Sequence, residues 1–246
     1  MSAPRCSTLA SSLGVAPQVL PDTLSQNARH LATDLASRAM FLQAVDSFSG
    51  ALDIVLPLCR AFFTVQHMLP TQSQYIESVP LKAQILFVGL NPSAAKPSGT
   101  AFVRGTASGE RFECLRRRLQ GPACAINYCP VVFTRTGQNV NLEDAVNEGF
   151  VYANRLGKRD TWKACTEFLL HICDRHVTEV AKALDCKIVV GVGRFATRRV
   201  RTLGLNIGIA EIKHPAYVND HETVHWVCDS LSRLPSWVRG HASSST

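Results

Sequence analysis

Ile85-Leu86-Phe87-Val88-Gly89-Leu90-Asn91-Pro92 is an apolar run that stops abruptly in a turn-forming Asn-Pro pair. The same design recurs three times. Ala123-Cys124-Ala125-Ile126 runs into Asn127-Tyr128-Cys129-Pro130, and Lys187-Ile188-Val189-Val190-Gly191 into Val192-Gly193-Arg194. Ile207-Gly208-Ile209-Ala210-Glu211-Ile212 reaches Lys213-His214-Pro215-Ala216. Short apolar strands separated by helical spacers specify an α/β fold, here three α/β/α layers around a central four-stranded, mostly parallel sheet. Strands buried on both faces read as continuous apolar runs, and open parallel sheets bind ligands beyond their carboxyl ends. Asn91, Asn127, Arg194 and His214 are therefore expected on one rim, although they lie far apart in the chain.

Outside those strands the sequence sets looser bounds. A chain of 246 residues can build one large domain or two small ones. The reading is a single domain over 22–236, with a disordered start over 1–21 and a flexible tail over 237–246. One arginine, Arg5, is too few to make the serine-containing start an organelle transit peptide. The longest apolar run, Ala51 to Cys59, is interrupted by Asp53 and Pro57, so no membrane span is expected. A net charge of +7 leans towards polyanionic partners, without deciding among them. Nine cysteines, an odd number with no C-x-x-C pair, read as reduced and mostly buried thiols rather than a disulfide framework or a metal site.

Periodicity predicts helices over 23–46 with Asp22 as N-cap, 50–64, 110–119, 161–184, 194–203 and 220–234. Leu69 to Pro80 reads as a connector and Thr134 to Val140 as a loop, while 141–160 has no decisive pattern. Gly191-Val192-Gly193-Arg194-Phe195-Ala196 matches the dinucleotide fingerprint, with Glu211 at the distance of a ribose acid. Three features weigh against a nucleotide cofactor: the motif follows the third strand, Arg194, Arg198, Arg199 and Arg201 crowd the helix it opens, and Glu211 runs straight into Lys213-His214-Pro215. A turn presenting backbone N–H groups to a nucleic-acid phosphate accounts for the same glycines. Arg194, Arg198 and Arg201 fall on one helical face, which is either a phosphate contact or simply solvated.

Taken in order, Gly89-Leu90-Asn91-Pro92-Ser93, Gly99-Thr100-Ala101-Phe102, Asn127-Tyr128-Cys129-Pro130, Gly191-Val192-Gly193-Arg194 and His214-Pro215-Ala216-Tyr217 resemble the motif series of the uracil-DNA glycosylase superfamily. The nearest pattern is that of its single-strand-selective monofunctional branch, G-M-N-P-G, G-V-P-F-G, N-L-C-P, V-V-G-V-G-R and H-P-S-P. The resemblance covers roughly 80–234. Each motif alone is an ordinary turn former; five in series at strand ends are specific.

The resemblance implies hydrolysis of the N-glycosidic bond of uracil, or a 5-modified uracil, in DNA, within base-excision repair. Asn91 would orient the attacking water and His214 would donate to uracil O2. Gly89, Leu90, Phe102 and Asn127 would hold the base, with Phe102 stacking on it and Asn127 reading N3–H and O4. Gly193, Arg194, Arg198, Pro215, Ala216, Tyr217, Val218 and Asn219 would contact DNA, Tyr217 and Val218 filling the gap left by the flipped base. Expelled uracil is already a fair anion, so a preorganised donor helps more than the paired carboxylates of sugar hydrolases. No metal or cofactor is implied. No lysine occupies a motif position suited to a Schiff base; Lys96, in the Asn91 loop, is the nearest. The partner would be uracil-containing DNA, single- or double-stranded, bound by a monomer in the nucleus or in an organelle that holds DNA. Ser93, Ala216 and Tyr217 stand where the family has Gly, Ser and Pro. Those departures keep open a reading of another class, a nucleic-acid-binding relative without turnover.

Overall fold

The computed structural model describes residues 39–40, 42–44, 50, 64–67, 83–92, 101–136 and 138–239. The four expected strands form: β2 (Ile85–Gly89), β3 (Ala123–Asn127), β6 (Ile188–Val192) and β7 (Gly208–Ile212), after a strand β1 over Thr64–His67. They build one all-parallel sheet in the order β3-β2-β6-β7. β2 and β6, in the middle, are apolar and buried at every position, whereas the edge strand β7 is exposed over its first half.

Alternation along the strands sorts the two faces. Leu86, Val88, Ile126 and Val189 pack with helices α2 (Leu142–Arg155) and α3 (Arg159–Ala183), and Val200 of α4 (Arg194–Thr202) joins them. Ile85, Phe87, Ile188, Val190 and Ile212 pack instead with α1 (Ala107–Arg116) and α5 (Thr223–Ser232). Helices on both faces give the three-layer α/β/α arrangement read from the sequence.

Several boundaries differ from the sequence reading. Thr134 to Val140 is not a loop: β4 (Val131–Arg135) and β5 (Gln138–Val140) pair in antiparallel fashion, and β1 pairs with β4 to complete a second, three-stranded sheet. The polar run there covers the exposed end of the hairpin, where alternation is masked because Arg135, Gln138 and Asn139 all face water. The stretch 141–160 contains α2, whose N-cap Asn141 accepts the N–H of Asp144 at 2.8 Å. Nor does the ordered chain end at 236. Val238 is fully buried, and Arg239 bridges to Leu119. An apolar side chain buried after Pro235 anchors this segment, although its sequence looks like the start of a tail. The helix expected over 23–46 lies outside the described residues except for helical residues at 39–40 and 42–44. That over 50–64 also lies outside them, apart from helical residue 50 and Thr64, which opens β1. Among the described residues no helix is long and apolar enough to cross a membrane.

Candidate functional site

Strand register fixes the rim. Gly89 lies opposite Asn127, Val88 opposite Gly191, and Val192 opposite Ile212, so all four strands end at one level. Gly89 and Asn127 fall on the same face of the sheet as Phe87 and Ala125, the face covered by α1 and α5.

The end of β2 there, the niche, is closely walled by Phe102, Ala101 and Asn127. A Cβ placed on Gly89 would lie 3.2 Å from Phe102 Cζ, 3.3 Å from Ala101 Cβ and 3.5 Å from Asn127 Oδ1. The missing side chain of Gly89 thus leaves the floor between an aromatic edge and an amide. Phe102 stacks on Phe112 at 4.4 Å between ring centroids and stands 5.8 Å from the His214 ring. Its backbone has φ 57°, a left-handed conformation that is uncommon for a side chain of this bulk. Burial against Phe112 helps hold it there.

Asn127 is buried, and its Nδ2 has no hydrogen-bond partner among the described residues. A buried amide donor left unpaired costs about 1–3 kcal/mol. The neighbouring backbone holds it firmly: the N–H of Tyr128 donates to Gly89 O at 2.8 Å and that of Cys129 to Leu90 O at 2.9 Å. Tyr128 points to the opposite face, where its hydroxyl contacts Asp174 at 2.7 Å and accepts from Arg199 Nε at 3.1 Å. Asn127 is clamped from behind, and its amide nitrogen is left without a partner among the described residues.

His214 sits at the end of β7, where its Nδ1 accepts the N–H of Ala216 at 3.1 Å. Burial lowers its pKa to about 4, so the imidazole is neutral at physiological pH. A neutral ring that accepts at Nδ1 carries its proton on Nε2, and that nitrogen is a donor. Gly193, at φ 88°, lets β6 pass so close that a Cβ would lie 3.3 Å from His214 Cβ. Gly191 serves packing: a Cβ there would stand 2.5 Å from Thr197 Cα of α4. Glu211, the supposed ribose acid, pairs with Arg201 at 3.2 Å. The fingerprint is thus explained by close packing of α4 on β6.

The remaining expected residues divide. Asn91 follows β2, but its contacts run to the other side of the rim. Its Oδ1 accepts the N–H of Leu142 at 3.1 Å, while Nδ2 lies 3.5 Å from the carbonyls of both Val131 and Val140. The oxygen is firmly used with one lone pair left, and the nitrogen only loosely held. Leu90 is partly buried against the core. Pro215 is buried, Ala216 is exposed, and Tyr217 stands 75% exposed with its ring edge-on to that of His214, 5.9 Å between ring centroids. Val218 belongs elsewhere. It is a buried core residue packed among Ile212 and Trp226, so it cannot fill a gap in DNA; the turn that exposes Tyr217 sends the next side chain inward. Asn219 caps the following turn with Glu222. Arg194 is exposed and forms no ion pair among the described residues. Arg198 is paired with Glu143 at 2.7 Å, at a site open enough for the pair to exchange with solvent.

Sequence reasoning missed Arg111. Its guanidinium donates to Pro215 O at 3.0 Å and to Asp220 at 2.7 Å, tying α1 to the His214 loop. The available signal was a charge one residue before Phe112 and four before Leu115, inside the apolar stripe of α1.

No family model matches the chain. Among the described residues no group of three or more His, Cys, Asp or Glu side chains could hold a metal ion. The seven described cysteines stand outside any disulfide, five of them buried. At the opposite end of the sheet, a groove lined by Thr178, Lys182, Asp185, Cys186 and Leu205 lies far from these convergent donors.

Proposed function

We propose that the protein is a monofunctional DNA glycosylase, which draws an extruded uracil or 5-modified uracil into the niche above Gly89 and hydrolyses its N-glycosidic bond. The observation that carries this reading is the buried Asn127 carboxamide, whose Nδ2 has no partner among the described residues and whose Oδ1 lies beside Gly89 and Phe102. An unpaired donor and an acceptor on one amide beside an aromatic edge suit a flat heterocycle with a carbonyl next to an N–H. Asn127 Nδ2 would donate to uracil O4 and its Oδ1 accept N3–H; cytosine presents the reverse pattern at both atoms. Sites built to satisfy buried polar groups reject such analogues strongly.

In this mechanism the C1′–N1 bond breaks and its electron pair leaves with the base. Nε2–H of neutral His214 donates to O2, where the charge grows, in a site partly closed to water. A water aimed by the Asn91 amide adds its oxygen to the cationic sugar carbon and releases a proton, leaving an abasic site. Extrusion from duplex costs a few kcal/mol, and exposed Tyr217 beside His214 is suited to fill the vacated stack. The reading requires no metal or cofactor. DNA in the nucleus or in an organelle is the proposed partner, met by a monomer.

One observation favours a second reading, a nucleic-acid-binding protein without turnover: the Asn91 carboxamide is engaged with α2, β4 and β5. Incubation with a uracil-containing oligonucleotide followed by hot alkali separates the two. Strand scission that is lost in His214→Ala supports the glycosylase; tight binding with no scission by the wild type supports the alternative.

A further inference from the structure

We infer that Arg104, Arg116 and Arg117 form a phosphate-binding site for the polynucleotide strand beside the niche. All three guanidiniums converge on one carboxylate, Glu113: Arg104 at 3.0 Å, Arg116 through Nε at 2.7 Å and Nη2 at 2.8 Å, and Arg117 at 3.2 Å. One negative charge faces three positive ones, so the cluster keeps two uncompensated charges. Glu113 is buried, and the Arg116 bond leads the contacts that hold its pKa down to about 2, so it remains ionised. It orients the cations while they stay open to solvent, at 70%, 47% and 72% side-chain exposure for Arg104, Arg116 and Arg117. Arg104 uses only Nη2 and Arg117 only Nε in these bonds, leaving donors for a second, outward oxyanion.

The place matters as much as the charge. Arg104 follows Phe102 by two residues, and Phe112, on which Phe102 stacks, directly precedes Glu113. Arg104 thus ties the cluster to the Phe102 loop, while Arg116 and Arg117 extend it to the carboxyl end of α1. By contrast, the arginines of α4 are largely spent: Arg198, Arg199 and Arg201 pair with Glu143, Asp174 and Glu211. Arg104 and Arg117, which flank α1, add positive charge around Glu113, whereas on α4 exposed Arg194 alone forms no ion pair among the described residues. This inference rests on the proposed reading only in that the niche takes a base from a polynucleotide.

The test uses the full chain and a labelled oligonucleotide without uracil, single-stranded and duplex, with affinity measured against salt concentration. For the Arg104→Gln/Arg116→Gln/Arg117→Gln protein, the slope of log K on log salt should become shallower by about 0.7 per lost phosphate contact on single strands and about 0.9 on duplex. Arg198→Gln/Arg201→Gln should change the slope less. Arg104→Gln alone removes one exposed partner, and its own slope change serves if the triple variant fails to fold. An unchanged slope in folded variants overturns the inference, as does equal affinity for a polyglutamate chain. Uracil-free DNA makes the result independent of turnover: loss of excision chemistry leaves this site standing, and an unchanged slope leaves the glycosylase reading standing.

Discussion

Replacing Asn127 with Leu should stabilise the protein while destroying its activity. The side chain is buried, and its Nδ2 donor has no partner among the described residues. Leu has nearly the same shape and no donor to leave unsatisfied, so folding should gain about 1–3 kcal/mol. For a chain of this size, each kcal/mol raises the melting temperature by about 2–4 °C. Uracil would lose two hydrogen bonds, together about 3 kcal/mol, which slows excision about a hundredfold. Thermal denaturation of the free protein and single-turnover excision from a uracil-containing single strand measure the two effects separately. A melting temperature lowered by several degrees with excision intact would refute the reasoning, because Asn127 would then be a structural strand-end group. Opposite movement of the two quantities is the signature of a donor held in reserve for a ligand.

Other perturbations probe the same arrangement. Tyr217→Ala, at a 75% exposed position, should leave stability unchanged within about 0.5 kcal/mol and reduce excision from duplex more than from single strands. Equal losses on both substrates would remove its gap-filling role. Gly191→Ala places a Cβ 2.5 Å from Thr197 Cα and should destabilise by about 1–3 kcal/mol or more in a urea titration, with or without any nucleotide present. Acid should act through His176, which is buried and held at about 4 by desolvation. Because the unfolded chain takes up that proton near pH 6.5, the contribution of His176 to stability is full above this pH and falls by about 3 kcal/mol towards pH 4, at about 1.4 kcal/mol per pH unit. The His176→Gln protein should show a flatter pH dependence of melting between those limits. Excision should stay level down to about pH 5 and fail near pH 4, where His214 gains the proton that disturbs its bond from Ala216.

The parallel sheet was legible because β2 and β6 are buried on both faces and cannot afford polar residues. The rim residues were legible because such strands must end in turns, and Asn91, Asn127 and His214 stand at those ends. The β4–β5 hairpin escaped because its exposed half is polar and short. Val218 was misassigned because its neighbours Ala216 and Tyr217 are exposed, and sequence alone does not say where a turn reverses direction. Arg111 escaped for another reason. Its partners, Pro215 and Asp220, lie 104 and 109 residues away, and no local pattern encodes such a pairing. The niche itself depends on the absent Cβ of Gly89, which in sequence is only one glycine among 15.

The bond from Leu142 to Asn91 joins the end of β2 to the first turn of α2, while its amide nitrogen reaches the carbonyls of β4 and β5. This asparagine is a clasp between two sheets as well as a rim residue. A chain without turnover would still need it to stay folded, so the presence of this asparagine is poor evidence of an enzyme. Asn127 carries the opposite burden, since selection for stability alone would discard it.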